Sequence, residues 1–90
     1  MSYIFKQKVA QKIAKVPSNS GVYFFRDKRG RILYIGKAAN LRARVGSYFN
    51  KQTKDARISK MLELAVMATW QKTGSEIEAL ILESQLIKKC

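Results

Sequence analysis

Residues 21–36 constrain the fold more than any other stretch of the chain. Gly21 to Asp27 carries Val22, Tyr23, Phe24 and Phe25 in a row, and Ile32 to Gly36 carries Leu33, Tyr34 and Ile35. Two short runs rich in aromatic and β-branched residues, separated by Asp27-Lys28-Arg29-Gly30, read as a β-hairpin. Asp at the first and Gly at the fourth position suit a type I turn. With a plain four-residue closure, Tyr23 lies directly opposite Tyr34 and both rings stand on one face. Val22 against Ile35 and Phe24 against Leu33 then make the other face wholly apolar. A bulge at Gly30 would move the register by one residue and separate the two tyrosines.

The remaining apolar positions add helices and one more strand. Phe5, Val9 and Ile13 recur at helical spacing, and that helix is expected to end near Pro17. Asn40 to Phe49 reads as a helix with Leu41, Val45 and Tyr48 on its inner face. Ile58, Met61, Leu62 and Ala65 mark another. Val66 to Thr73 has strand propensity, and Ser75-Glu76-Ile77-Glu78 is a capping box that opens a last helix to about Lys89. The expected fold is α+β, a small three-stranded and largely antiparallel sheet flanked by helices. With 90 residues the chain has room for one domain, expected over 1–90.

Charge narrows the function. The net charge is +12, from 18 Lys+Arg and 6 Asp+Glu, and it is concentrated in the middle of the chain. Residues 26–60 hold nine net positive charges, whereas 61–90 hold one net negative charge. A basic block beside a near-neutral end points to a polyanion held on one face, nucleic acid before a merely solvated cationic surface. There is no histidine, which excludes Ser-His-Asp and Cys-His chemistry and imidazole metal ligation. The single cysteine, Cys90, allows neither an internal disulfide nor a cysteine metal cluster, and fits a reducing compartment. No apolar run approaches the length of a membrane span and no signal sequence opens the chain, so the expected setting is the cytoplasm.

Two further groupings carry chemistry. Tyr34-Ile35-Gly36-Lys37 runs into the helix from Asn40, a geometry that would offer free backbone N–H groups and a cation to a phosphate, with Arg42 and Arg44 in the first turns. A plain strand-to-helix turn with Lys37 in solvent is the other reading. Glu83 is the second case: its helical neighbours Ala79, Leu80, Leu86 and Ile87 are all apolar, and a carboxylate in an apolar stripe is costly without compensation. Either a buried ion pair with an arginine or a divalent metal compensates it, and a basic polyanion site favours the metal.

These residues resemble the GIY-YIG nuclease family. Gly21-Val22-Tyr23 and Tyr34-Ile35-Gly36 match its two tripeptides. The runs Gly36–Arg44, Ser47-Tyr48-Phe49, Ser75–Glu83 and Leu86–Lys89 are similar to the N-terminal endonuclease domain of the bacterial excinuclease that makes the incisions of nucleotide excision repair. The resemblance implies a one-metal endonuclease using Mg²⁺ or Mn²⁺. Tyr23, Tyr34 and Lys37 would line the site, with Arg44, Tyr48 and the metal-binding Glu83. It also implies the 3′ incision in damaged duplex DNA, with a helicase-like excinuclease partner engaged through regions outside this chain. Two departures stand out: Ala39 replaces a usual lysine, and the chain stops at Cys90 before a motif carrying a site asparagine. It is therefore expected to be an excised domain or a short relative.

Hydrolysis without histidine needs another base, and a tyrosine is the natural candidate if Lys37, Arg44 and the metal lower its pKa. Whether Tyr23 or Tyr34 takes the proton stays open. Arg29 and Arg31 at the hairpin tip, together with Arg42, are expected to contact DNA. The rival function is a non-catalytic nucleic-acid-binding module using the same basic face.

Overall fold

The computed structural model describes residues 2–5, 15–50 and 55–89; for 2–5, 49 and 50 it describes the backbone alone. Along the chain come β1 (Ser2–Phe5), β2 (Gly21–Arg26), β3 (Ile32–Ala38), α1 (Leu41–Asn50), α2 (Ala56–Leu64), β4 (Met67–Lys72) and α3 (Glu76–Lys89). The strands form one antiparallel sheet in the order β1-β4-β2-β3. The expected α+β architecture and its three strands are present, and β1 adds a fourth. Phe5, expected in a helix, instead pairs with Met67. Ser-Tyr-Ile-Phe is a run of good strand formers, and β4 has a free edge on the side away from β2. Val9 and Ile13 lie outside the described residues.

β2 is central and buried on both faces, which is why its sequence is apolar without alternation. Tyr23 and Phe25 point to one side, where Leu41 and Val45 of α1, Met61 of α2, and Val16, Ala65, Ala68 and Trp70 complete the main core. Val22 and Phe24 point to the other, where they meet Ala79 with Leu82 and Leu86 of α3, and Ile32 and Ile35 of β3. The sheet thus separates α3 from α1 and α2.

The hairpin register differs from the plain closure. Gly30 N–H donates to the Asp27 carbonyl at 2.9 Å, as in a type I turn, but Asp27 N–H donates to the Arg31 carbonyl at 3.0 Å, and Gly30 has φ +80°. That is a glycine bulge, and it moves the register by one residue. A second irregularity follows: Arg26 pairs with Ile32 but Phe25 with Tyr34, leaving Leu33 as the extra residue. The two one-residue shifts act in the same direction, so the side-chain alternation returns to its original parity. Tyr23 pairs with Gly36, not Tyr34, yet the two tyrosines remain on the same face as diagonal neighbours. Val22 faces Lys37 and Phe24 faces Ile35. Leu33 packs with the main core, not opposite Phe24.

Local signals close the helices. Asp55 caps α2 by accepting from the amides of Arg57 at 2.9 Å and Ile58 at 3.4 Å. Ser75 Oγ accepts from Glu78 N–H at 3.2 Å, while Glu78 reaches back to Gly74 N–H at 3.0 Å, one residue upstream of the usual capping box.

Leu41 has no solvent exposure and sits where α1 meets the sheet. Leu41→Ala is expected to cost about 3 kcal/mol in urea unfolding, from lost transfer energy plus the residual cavity. Ile77→Ala, on the open face of α3, is expected to change stability by no more than about 0.5 kcal/mol.

Candidate active site

Three tyrosines from three elements meet over the β2–β3 face. Tyr23 (β2), Tyr34 (β3) and Tyr48 (α1) have ring centroids 6.2 Å apart for Tyr23–Tyr34, 5.8 Å for Tyr23–Tyr48 and 6.4 Å for Tyr34–Tyr48. The Tyr23 and Tyr48 hydroxyls share a hydrogen bond of 2.7 Å. Phe25 supports the cluster from below, edge-on to Tyr48 at 5.0 Å and to Tyr23 at 5.9 Å. Gly36 makes the arrangement possible: a Cβ at that position would overlap the ring end and hydroxyl of Tyr23. The second tripeptide therefore needs its glycine for space, to let the tyrosine of the first lie across it.

The tyrosines differ in access to solvent. Tyr23 is 2% exposed, whereas Tyr34 is 36% exposed. Burial pushes the Tyr23 phenol far above its ordinary range, and the hydrogen bond and proximity to Tyr48 push it the same way. Tyr34 is also raised, by partial burial first, then by Tyr48 and by the negative charge of Glu83. Arg44 opposes both shifts without overcoming them. The expectation of tyrosines made acidic by neighbouring cations is thus reversed in the protein by itself, because desolvation outweighs Arg44. Lys37 pairs with Val22 and so projects from the α3 side of the sheet, away from the face that carries the tyrosines.

Glu83 reaches the cluster from the opposite layer. α3 packs behind the sheet through Ala79, Leu82 and Leu86, and Glu83 lies half-buried beside that stripe, near enough to act on Tyr34 around the edge strand β3. Leu80 and Ile87 are about half exposed, so the carboxylate stands at the margin of the apolar stripe and not at its centre. Among the described residues no cation lies within ion-pairing distance of it; the ion pairs there are Arg31–Asp27 and Arg57–Asp55. The compensating arginine considered from the sequence is therefore not found among those residues. No three His, Cys, Asp or Glu side chains gather into a metal cage among them either. One unpaired carboxylate, open to solvent and to an incoming phosphate, fits a hard cation that keeps most of its waters, as Mg²⁺ does.

The turn before α1 does not offer the free amides expected there. Leu41 N–H donates to Asn19 and Arg42 N–H to Pro17, both at 3.0 Å; Ala43 N–H donates to Asn40 Oδ1 and Arg44 N–H to the Asn40 carbonyl, also at 3.0 Å. The loop after Pro17 folds back and occupies the helix N-terminus. Arg42 is drawn into the same knot, its Nε donating to the Val16 carbonyl at 2.8 Å. Arg44 is exposed and has no hydrogen bond or ion pair through its side chain among the described residues. At the hairpin tip Arg29 is exposed, while Arg31 is held to Asp27 at 3.0 Å. Arg26 braces that tip by donating to Gly30 at 2.9 Å and Thr69 at 3.2 Å, a role the sequence did not suggest.

The chain has relatives among known proteins. The family model described as the UvrC-like GIY-YIG domain matches residues 19–90. The UvrABC system protein C of Methanococcus maripaludis is 43% identical over 77 residues, covering 86% of this chain and 15% of its own length. That of Tropheryma whipplei is 48% identical over 75 residues, covering 83% and 12%. The chain thus spans about an eighth of the length of such relatives. The crystal structure of the GIY-YIG N-terminal endonuclease domain of UvrC from Thermotoga maritima, bound to its catalytic divalent cation magnesium, superposes with a TM-score of 0.78 at 42% identity. That match covers 93% of this chain and 91% of the other. Variants of that domain with a tyrosine changed to phenylalanine or an asparagine to alanine, each with the cation bound, superpose equally well.

The raised Tyr23 pKa has a consequence for stability. The phenol stays neutral in the fold, while in the unfolded chain it ionises from about pH 10. Its contribution is therefore complete below that pH and is lost as pH rises toward the folded value, by roughly 1.4 kcal/mol per pH unit. Tyr23→Phe is expected to be about 1 kcal/mol less stable at neutral pH, from the lost hydroxyl bond. Above pH 10 its urea-unfolding free energy is expected to fall less steeply than that of the parent protein. Equal slopes would contradict the assignment.

Proposed function

Because this chain belongs to the UvrC-like GIY-YIG domain family, we propose that residues 1–90 form one divalent-metal-dependent DNA endonuclease domain that hydrolyses a phosphodiester bond. The supporting observation is the meeting of Tyr23, Tyr34 and Tyr48 with Arg44 on one side and an unpaired Glu83 on the other. The reaction is the 3′ incision of nucleotide excision repair in damaged duplex DNA. It is carried out in the cytoplasm, with a helicase-like excinuclease partner engaged through regions outside this chain. No helix among the described residues is long and apolar enough to cross a membrane.

Each side chain has a distinct task. Glu83 would hold one Mg²⁺ or Mn²⁺, which supplies Lewis-acid stabilisation of the charge on the scissile phosphate. Arg44, without an internal partner for its side chain, meets the phosphate oxygens and offsets the negative charge that grows on them. Lys37 adds a cation from the α3 side of β3. Tyr23 stays protonated and, through its 2.7 Å bond, fixes the Tyr48 hydroxyl. Tyr34 is the exposed member of the cluster and would take the proton of the attacking water; its pKa is raised by partial burial, by Tyr48 and by Glu83, and a cation held at Glu83 would offset the last of these. Tyr23 is unsuited to that step because its burial holds it neutral.

Glu83→Gln is the decisive variant, assayed in the repair reaction with the helicase-like partner present. Incision is expected to fall about a thousandfold, the several kcal/mol that a positioned metal ion contributes. DNA affinity is expected to stay similar, and stability within about 1 kcal/mol, since no described cation loses its partner. A variant that melts early yet cuts at the parent rate would overturn the metal-ligand role.

Binding is expected to be electrostatic. For about five neutralised phosphates, affinity for duplex DNA should drop several hundred-fold between 50 and 200 mM salt. Arg29→Ala is expected to weaken binding more than Arg31→Ala, because Asp27 already neutralises part of the Arg31 charge. Both should alter affinity more than the rate of the bound complex. Salt-independent binding in a titration would count against this surface.

A further inference from the structure

Resting on the nuclease reading, we propose that the cleft between the end of β3 and the first turns of α1 is a nucleotide subsite. It would seat the sugar and base of a nucleotide adjacent to the scissile phosphate. The cleft has a volume of about 310 Å³ and is lined by Ala38, Ala39, Asn40, Ala43, Arg44 and Ser47. That volume is at the lower end of small-ligand sites, roughly 300–1,000 Å³.

Three features select a nucleotide over a bare anion. The floor is made of small side chains, Ala38, Ala39 and Ala43, which leave a smooth apolar surface for a flat, neutral body. The amides of Leu41, Arg42, Ala43 and Arg44 are all engaged within the chain, so the helix N-terminus has no donors left for an isolated phosphate. The charged lining is confined to Arg44, which also acts on Tyr23 and Tyr34. A ligand with its phosphate on Arg44 and its uncharged part over the alanines satisfies all three.

Polar groups at the rim are suited to base and sugar edges. Asn40 uses its Oδ1 for Ala43 N–H, and its amide NH₂ has no hydrogen-bond partner among the described residues. Ser47 Oγ donates to the Arg44 carbonyl at 2.7 Å and keeps its lone pairs as acceptors. A second cleft of about 300 Å³, lined by Ile32, Leu33, Tyr34, Ile35 and Ile87, borders Tyr34. It has no cationic wall and lacks this combination.

The test uses the 90-residue chain without divalent cation, titrated with thymidine 3′,5′-bisphosphate and, separately, with inorganic phosphate, followed by amide NMR. The bisphosphate is expected to bind at least about tenfold more tightly, equivalent to about 1.4 kcal/mol. It should shift the amides of Ala39, Asn40 and Ala43. Ala43→Phe on α1 and Ala39→Leu in the turn before it, which fill the cleft from two sides, are expected to abolish that difference while leaving the affinity for inorganic phosphate within about twofold. Equal affinities for the two ligands, no saturable binding, or an unchanged bisphosphate affinity in both variants would overturn the proposal. Incision with Mg²⁺ judges the nuclease reading, and the metal-free titration judges the cleft, so either can fail alone.

Discussion

Tyr23 faces Gly36 across the β2–β3 ladder, and its ring lies there only because position 36 has no side chain. From that contact the rest of the tyrosine cluster follows. The ring crosses β3, its hydroxyl reaches Tyr48 on α1, and Tyr34 is left two residues along the same face. Phe25 supports the cluster from the same strand as Tyr23. A rigid hydroxyl pair thus rests on the most buried strand of the protein, which suits chemistry that depends on tightly held positions.

Charge is arranged to complement that rigidity. The described surface around the cluster offers cations with few internal partners and one carboxylate with none. Among the described residues, Asp27 and Asp55 are spent on a turn and a helix cap, and Glu78 on another cap. Glu83 has no such structural duty. Its negative charge raises the Tyr34 pKa, and a cation held there would relieve that effect. The same site that would hold a metal therefore also tunes the exposed phenol.

The hairpin, the helices after it and the residues that meet were legible because each has a local signal: apolar runs, a turn tetrapeptide, caps, and a charge placed against apolar neighbours. The register was not. Gly30 allowed a bulge to be foreseen, but the second one, at Leu33, has no sequence mark. Had only the first bulge formed, Tyr34 would have turned toward α3. β1 was missed because Phe5 also fits a helical repeat with Val9 and Ile13, and only the free edge of β4 favours the strand. The free amides expected before α1 were also absent, since the loop after Pro17 fills them, a contact between segments more than twenty residues apart. The tyrosine pKa values ran opposite to expectation because a sequence shows nearby charge more readily than it shows burial.

The position of β3 at the sheet edge ties these parts together. Tyr34 points to the α1 side and Lys37 to the α3 side, and Glu83 comes from the helix behind. Groups from two layers separated by a sheet can act on one phosphate only where the sheet ends. Another strand added to β3 would cover this meeting point and cut Tyr34 off from Glu83. Exposed edges invite such pairing, and flanking cations are one way to discourage it. Arg29 and Arg31 stand at one end of β3 and Lys37 at the other, so the charges that repel a second basic chain are the ones that attract a polyanion. The open edge is therefore a condition of the proposed activity, and its charge protects it.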